Sequence, residues 1–271
     1  MSTGEDWGRG WALVTGASVG LGEEIARVLA SRGFPLVITA RNEQRLEALA
    51  HELSQTYDAR VRVIPADLSQ PGSADRLASE VRDMDLPVEV LVNNAGIGQW
   101  GPYLALDGTE ELEMLHLNVE ALTVLTRGLL PGMVERGYGR ILNVASTAAF
   151  VPGPWMTVYY ATKAYVLSYS EALGEELRDT GVSVTCLCPG PTRTHFQLRA
   201  GMRPPPVLAG RMMEASPVAR AGVDGLFRQK RVVVPGLMNR LITFAPRILP
   251  RALLLRVVKR IQVNRGREGE G

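Results

Sequence analysis

The chain has 271 residues, 46% hydrophobic and 21% charged, a profile that fits a globular protein with a sizeable core. Its net charge of +2 argues against nucleic acid as a partner. With two cysteines and no apolar run of the roughly 18–20 residues that span a bilayer, it offers no disulfide framework, no zinc spacing, no other metal site and no transmembrane helix.

Short β-branched runs alternate with longer helical patterns. Residues 11–15 predict a first strand and 21–31 a helix with Ile25, Val28 and Leu29 on one face and Gly33 as its stop. A strand at 35–40, a helix at 43–55, a strand at 61–64 and a helix near 73–84 follow. Next come a strand at 88–92, a long helix at 109–136, a strand at 140–145, a helix at 158–178 and a strand at 182–187, with a seventh strand at 231–234. Strands spaced by helices imply right-handed crossovers, hence an α/β fold with a doubly wound parallel sheet of about seven strands. No linker or repeat divides the chain, so 1–271 reads as one domain. Within it, 189–217 is rich in Pro, Gly, Arg and Met and reads as a substrate loop, either mobile or a short-helix insertion, rather than a core element. Cys186 and Cys188 point to one face of the sixth strand as small buried residues, and a reducing, cytoplasmic setting fits them. The polar, acidic stretch 1–7 lacks the apolar core of a signal peptide.

The first strand runs into Thr15-Gly16-x-Ser18-x-Gly20-Leu21-Gly22. Glycines between a strand and a helix let the backbone approach a pyrophosphate, and the helix N-terminus stabilises the anion. At the end of the second strand stand Ala40 and Arg41 rather than an acidic residue. A carboxylate there would bind a ribose 2′-hydroxyl; a guanidinium suits a 2′-phosphate, which favours NADP(H) over NAD(H). Asp67, with Leu68 after the third strand, could accept from an adenine amino group, and Asn93-Asn94-Ala95-Gly96 forms a small-residue turn after the fourth.

Tyr159 and Lys163 lie four apart, on one face of the predicted helix. An ammonium beside a phenol favours the phenolate and draws it down from its usual pKa of about 10, so such a tyrosine can exchange a proton at cellular pH. Ser146 ends the fifth strand, where it could hold a carbonyl oxygen beside the phenol. Lys163 is one of only three lysines against 27 arginines.

Together these residues resemble the short-chain dehydrogenase/reductase superfamily over roughly residues 10–195. The resemblance rests on Thr15-Gly16-x-x-x-Gly20-x-Gly22, Asn93-Asn94-Ala95-Gly96, Asn118, Ser146, Tyr159-x-x-x-Lys163 and Pro189-Gly190-x-x-x-Thr194, in that order and spacing. It implies a Rossmann fold and hydride transfer between a nicotinamide and a carbonyl or alcohol carbon. Tyr159 would be the acid/base, and Lys163 would tune it and bind the nicotinamide ribose. Ser146 would bind the substrate oxygen, Asn118 would hold a relay water, and Pro189, Gly190 and Thr194 would clasp the carboxamide. It also implies a homodimer or homotetramer paired through the two long helices.

Gln99, Trp100, Phe150, Val151, Pro152, Trp155 and Met156, then Phe196, Leu198 and Met202, suggest a substrate wall for a small hydrophobic ketone or alcohol, such as a 3-oxoacyl, steroid-like or aromatic molecule, with Trp100, Phe150, Trp155 and Phe196 as its main contacts. His195 and Arg199 could meet an acidic group or stand in solvent. The stretch 237–271 is a basic tail: from Asp224 to Glu268 there is no acidic residue and there are 11 Arg or Lys. Leu254, Val257, Val258 and Ile261 follow helical spacing opposite Arg256, Lys259 and Arg260. Such a helix can dock on its own domain, on a partner subunit or on a membrane surface.

Overall fold

The computed structural model describes residues 10–194, 196–201 and 212–264. The N-terminal stretch 1–7, His195, Met202, most of the second half of the 189–217 loop and the last seven residues of the tail lie outside the described residues, as do the side chains of Leu198 and Arg199.

The elements run β1 (Trp11–Thr15), α1 (Gly20–Ala30), β2 (Leu36–Thr39), α2 (Glu43–Tyr57), β3 (Val61–Val63), α3 (Ser73–Asp83) and β4 (Val88–Asn93). They continue through α4 (Gly108–Leu115), α5 (Ala121–Glu135), β5 (Gly139–Val144), α6 (Thr157–Glu176) and β6 (Val182–Leu187). Then come β7 (Thr192–Arg193), α7 (Phe196–Arg199), β8 (Met213–Glu214), α8 (Ala215–Phe227), β9 (Val232–Val233), α9 (Leu237–Phe244) and α10 (Arg251–Asn264). Seven strands form one parallel sheet in the order β3-β2-β1-β4-β5-β6-β9, and β7 pairs with β8 in a small second sheet. The order reverses between β1 and β4, which opens a crevice at the carboxyl ends of the strands.

The central strands β2, β1, β4, β5 and β6 are buried on both faces, and their alternation feeds two cores. Ala12 and Val14 of β1, Leu36 and Ile38 of β2 and Val92 of β4 pack with Ile25, Leu29, Leu46 and Val218. Leu13, Val37 and Leu91 point the other way, onto Leu77, Val81, Leu125 and Leu129. This period of two, covered by helices on both sides, is what a doubly wound sheet requires.

Several features depart from the sequence expectations, among them the following. The long helix at 109–136 is interrupted by a π-turn, His116–Glu120, between α4 and α5. The seventh strand is shorter than expected. Helix α8 occupies a stretch with no predicted element. Its glycines lower helix propensity, yet packing requires them: a Cβ on Gly222 would lie 2.7 Å from Leu187, and one on Gly225 2.2 Å from Val233. Close helix–sheet packing has overridden intrinsic preference here.

Candidate active site

Thr15 and Asn94 tie the turn after β1 to the turn after β4. The Thr15 hydroxyl donates to the Val92 carbonyl (3.2 Å) and accepts from the N–H groups of Asn94 and Ala95 (both 3.0 Å). The Asn94 amide donates back to the carbonyls of Thr15 (2.9 Å) and Gly16 (3.2 Å). Gly16 and Gly20 adopt left-handed φ of 66° and 65°. Gly22 is needed for space: a Cβ there would lie 2.3 Å from the Gly16 oxygen and 2.4 Å from the Asn94 amide nitrogen. Helix α1 begins behind this cradle with no side-chain cap at Val19; the Glu23 carboxylate in its first turn accepts from the Gly20 N–H (3.2 Å), a place that an incoming anion would take over at the positive end of the helix. These features fit a dinucleotide pyrophosphate.

A cleft of about 560 Å³ runs across the carboxyl end of the sheet. At one end it is lined by Gly16, Ser18, Gly20, Leu21, Arg41, Asp67 and Leu68, and in the middle by Asn94, Ala95 and Gly96. At the other end stand Ser146, Tyr159, Lys163, Pro189, Gly190, Thr194 and Phe196. Asp67 accepts from the Ser69 hydroxyl (2.7 Å) and N–H (3.1 Å). Burial works to raise its pKa, but those hydrogen bonds and the nearby Arg41 hold it below the usual carboxylate value. It is therefore an anionic acceptor at neutral pH.

The reacting end is assembled by β5 and α6. Ser146 follows β5 in extended backbone, and its oxygen accepts from the Ala148 N–H (3.1 Å). A hydroxyl that accepts in this way keeps its own proton available for a substrate oxygen. Tyr159 and Lys163 are both buried in α6, with the ammonium 5.8 Å from the centre of the Tyr159 ring. Lys163 Nζ donates to the Val144 carbonyl (2.9 Å), which pins it to the end of β5. Burial pushes its pKa down to about 8, partly opposed by the Cys186 and Cys188 thiols. Those thiols are buried side by side, 3.7 Å apart.

Asn118 and Gly22 do not line the cleft. Asn118 sits in the π-turn, a helix distortion frequent at functional sites. Its carbonyl oxygen accepts from the Ile97 N–H (2.9 Å), and its amide donates to the Ile97 carbonyl (2.9 Å) and the Thr162 hydroxyl (3.1 Å). It thus joins the turn after β4 to α6 beside Lys163.

Of the residues expected on the substrate wall, Met156 and Phe196 line the cleft, the Phe196 ring centroid 5.3 Å from that of Tyr159, whereas Gln99, Trp100, Phe150, Val151, Pro152 and Trp155 do not. Phe150 ends a 3₁₀ turn, Thr147–Phe150, and packs against the cluster of Leu122, Val166, Cys186 and Cys188. Trp155, at φ 71°, packs against Trp100 with the rings tilted (centroids 5.1 Å apart), and the Trp100 indole donates to the Gln262 carbonyl (3.2 Å) in α10. Tyr160, Gln197 and Met212 line the cleft instead. Only Tyr160 carried a sequence signal, as the neighbour of Tyr159. Gln197 and Met212 come from a stretch without usable periodicity.

The model of the family described as short chain dehydrogenase matches residues 10–202. Very-long-chain 3-oxoacyl-CoA reductases are similar: that of Laccaria bicolor is 39% identical over 64% of this chain, and that of Rattus norvegicus 34% over 66%. The matches cover 52% and 58% of those proteins, so this chain spans little more than half their length. A short-chain dehydrogenase from Sphingobium yanoikuyae in complex with NADPH superposes with a TM-score of 0.79 at 35% identity, covering 84% of this chain and 88% of the other. A bulky-bulky ketone specific alcohol dehydrogenase from Comamonas testosteroni gives 0.75 at 30%, covering 90% and 96%. With its glycine cradle, its serine, tyrosine and lysine in one cleft and a family match over most of its length, the chain belongs to the short chain dehydrogenase family of oxidoreductases.

Proposed function

We propose that the chain is an NADP(H)-dependent carbonyl reductase, and in reverse an alcohol dehydrogenase, acting on a hydrophobic substrate. The observation that carries this reading is the convergence of Ser146, Tyr159 and Lys163 in one cleft that continues to the Gly16–Gly22 cradle and Arg41. The cradle would hold the pyrophosphate, Asp67 the adenine amino group, and Pro189, Gly190 and Thr194 the nicotinamide end. When bound, the nicotinamide supplies or accepts the hydride. Ser146 orients the substrate carbonyl by donating to its oxygen. Tyr159 gives that oxygen a proton as it gains charge. The Lys163 ammonium beside it favours the phenolate left behind. Around these groups the cleft presents Ile97, Leu117, Met156, Phe196 and Met212, side chains that favour an apolar ketone.

Within this reading, a long 3-oxoacyl thioester is the substrate class favoured by the similarity to very-long-chain 3-oxoacyl-CoA reductases. The test is oxidation of NADPH across bulky ketones, 3-oxoacyl thioesters, steroids and quinones, with NADH in parallel. Turnover confined to small polar carbonyls would end the hydrophobic reading.

Cofactor choice has its own expected result. Arg41 is exposed at the end of β2 and lines the cleft. Arg41→Asp removes a charge-assisted hydrogen bond and adds repulsion, so KM for NADPH should rise about 10- to 100-fold while KM for NADH changes little. Equal effects on both cofactors would remove Arg41 from the 2′-phosphate site.

A further inference from the structure

Helix α9 is inside out for a helix at a protein surface. Its polar Thr243 is 8% exposed, and Asn239 faces inward, donating to the Pro235 carbonyl (2.7 Å). Its apolar residues face solvent. Leu237, Leu241 and Phe244 are 74%, 58% and 51% exposed, and Ile248 just beyond the helix is 71% exposed. Their spacing of four, three and four places them in one stripe, with Met238 and Ile242 alongside. Helix α10 carries a second stripe. Leu254 and Val258 are partly covered, Gln262 is buried, and Leu253, Val257 and Ile261, four apart, are exposed. Helical spacing groups Val257 and Ile261 with Leu254 and Val258, yet only the latter pair turns toward the domain.

The charge on this surface is of one sign. From residue 237 to 264 there are six Arg or Lys, all exposed, and no Asp or Glu. The Arg247 guanidinium stands over the Phe244 ring (5.8 Å). Two such faces brought together would repel, which disfavours a second copy of the chain as the occupant. No helix among the described residues is long and apolar enough to cross a membrane. Exposed apolar stripes flanked by uncompensated arginines are what a helix needs to lie in the plane of an anionic lipid surface.

We propose that α9 and α10 form a docking face for an anionic phospholipid leaflet. The apolar stripes sit at the boundary of headgroups and acyl chains, and the arginines engage headgroup anions. The face is built on the wall of the cleft. Helix α9 packs on the Thr147–Phe150 turn that follows Ser146, and Asn239 fills the space beside Gly190, where a Cβ would meet it at 2.3 Å. In α10, the Gln262 amide donates to the Tyr160 hydroxyl (2.7 Å), and the Gln262 carbonyl accepts from Trp100. Docking therefore sets the substrate end of the cleft beside the lipid. The delivery of an apolar ketone from the leaflet rests on the reductase reading; lipid binding does not.

The test is co-sedimentation of the full chain with vesicles of phosphatidylcholine alone and of phosphatidylcholine with phosphatidylserine, without cofactor. The chain should pellet with the phosphatidylserine vesicles, remain largely in solution with phosphatidylcholine alone, and be released by salt. The double substitution Leu241→Asp with Ile248→Asp should weaken binding to the phosphatidylserine vesicles by about tenfold or more, with an unchanged Tm as the check on folding. No pelleting of the wild-type chain, or equal binding to both vesicles, overturns the proposal. So does a dimer in solution that the same double substitution dissociates, because the face would then belong to a second copy. Loss of NADPH turnover with intact vesicle binding would count against the reductase reading alone.

Discussion

Replacing Tyr159 with phenylalanine should lower kcat for NADPH-driven ketone reduction by roughly a hundred- to ten-thousandfold, the range set by loss of a positioned proton donor. The substitution is narrow. The Tyr159 ring is buried and packs against Phe196 (5.3 Å) and Tyr160 (6.1 Å), contacts that phenylalanine keeps. Only the hydroxyl is lost. The pyrophosphate cradle, from Gly16 to Gly22 with its Asn94 clasp, lies at the other end of the cleft and is untouched. NADPH binding, followed by fluorescence of the reduced nicotinamide, should therefore change by less than about threefold while turnover collapses. Ser146→Ala should show the same pattern with a smaller fall, because the carbonyl would lose one donor but keep its acid. A variant of Tyr159 that turns over at the wild-type rate would remove the phenol from the chemistry.

The reacting groups were legible in the sequence because their geometry is local. Tyr159 and Lys163 share a face through helical spacing alone, and Ser146 sits at the end of a strand whose apolar run is easy to see. The glycine turn was legible because a strand leads into it and a helix leaves it. What escaped depends on contacts far apart in the chain. Trp100 was expected on the substrate wall, but its indole is held by the carbonyl of Gln262, 162 residues away. Phe150 was assigned to the same wall, but a 3₁₀ turn of four residues sends its ring into the cluster around Val166. Local periodicity carries no information about either. Helix α9 was invisible for a different reason. Sequence patterning assumes that apolar residues face inward, and in α9 Thr243 is buried while Leu237 and Leu241 are exposed. Helix α8 was hidden by the glycines that let it approach β6 and β9.

Replacing Lys163 with methionine should abolish most turnover and yet raise the Tm of the cofactor-free protein at neutral pH. The ammonium is buried and donates to the Val144 carbonyl at 2.9 Å. Burial holds its pKa at about 8 against an ordinary 10.5. The sign follows from proton binding. Below pH 8 both folded and unfolded chains carry the proton, and the folded state bears the full desolvation penalty, on the order of 3 kcal/mol. Between pH 8 and 10.5 the unfolded chain binds more protons than the folded one, so stability rises with pH. Above 10.5 both forms are neutral and the penalty is gone. Methionine follows a similar path without the charge, at the expense of about 1 kcal/mol for the unpaired Val144 carbonyl. A net gain of about 1–2 kcal/mol corresponds to a Tm higher by roughly 2–8 °C in a chain of this size. The advantage should shrink as pH rises from 8 and vanish above 10.5, where wild type no longer carries the penalty. A Tm that falls at pH 7 would mean that the ammonium stabilises the fold through its surroundings. A Tm that rises while turnover disappears would mean that this lysine is held in the core against the interest of stability, and that the proton chemistry at Tyr159 is what keeps it there.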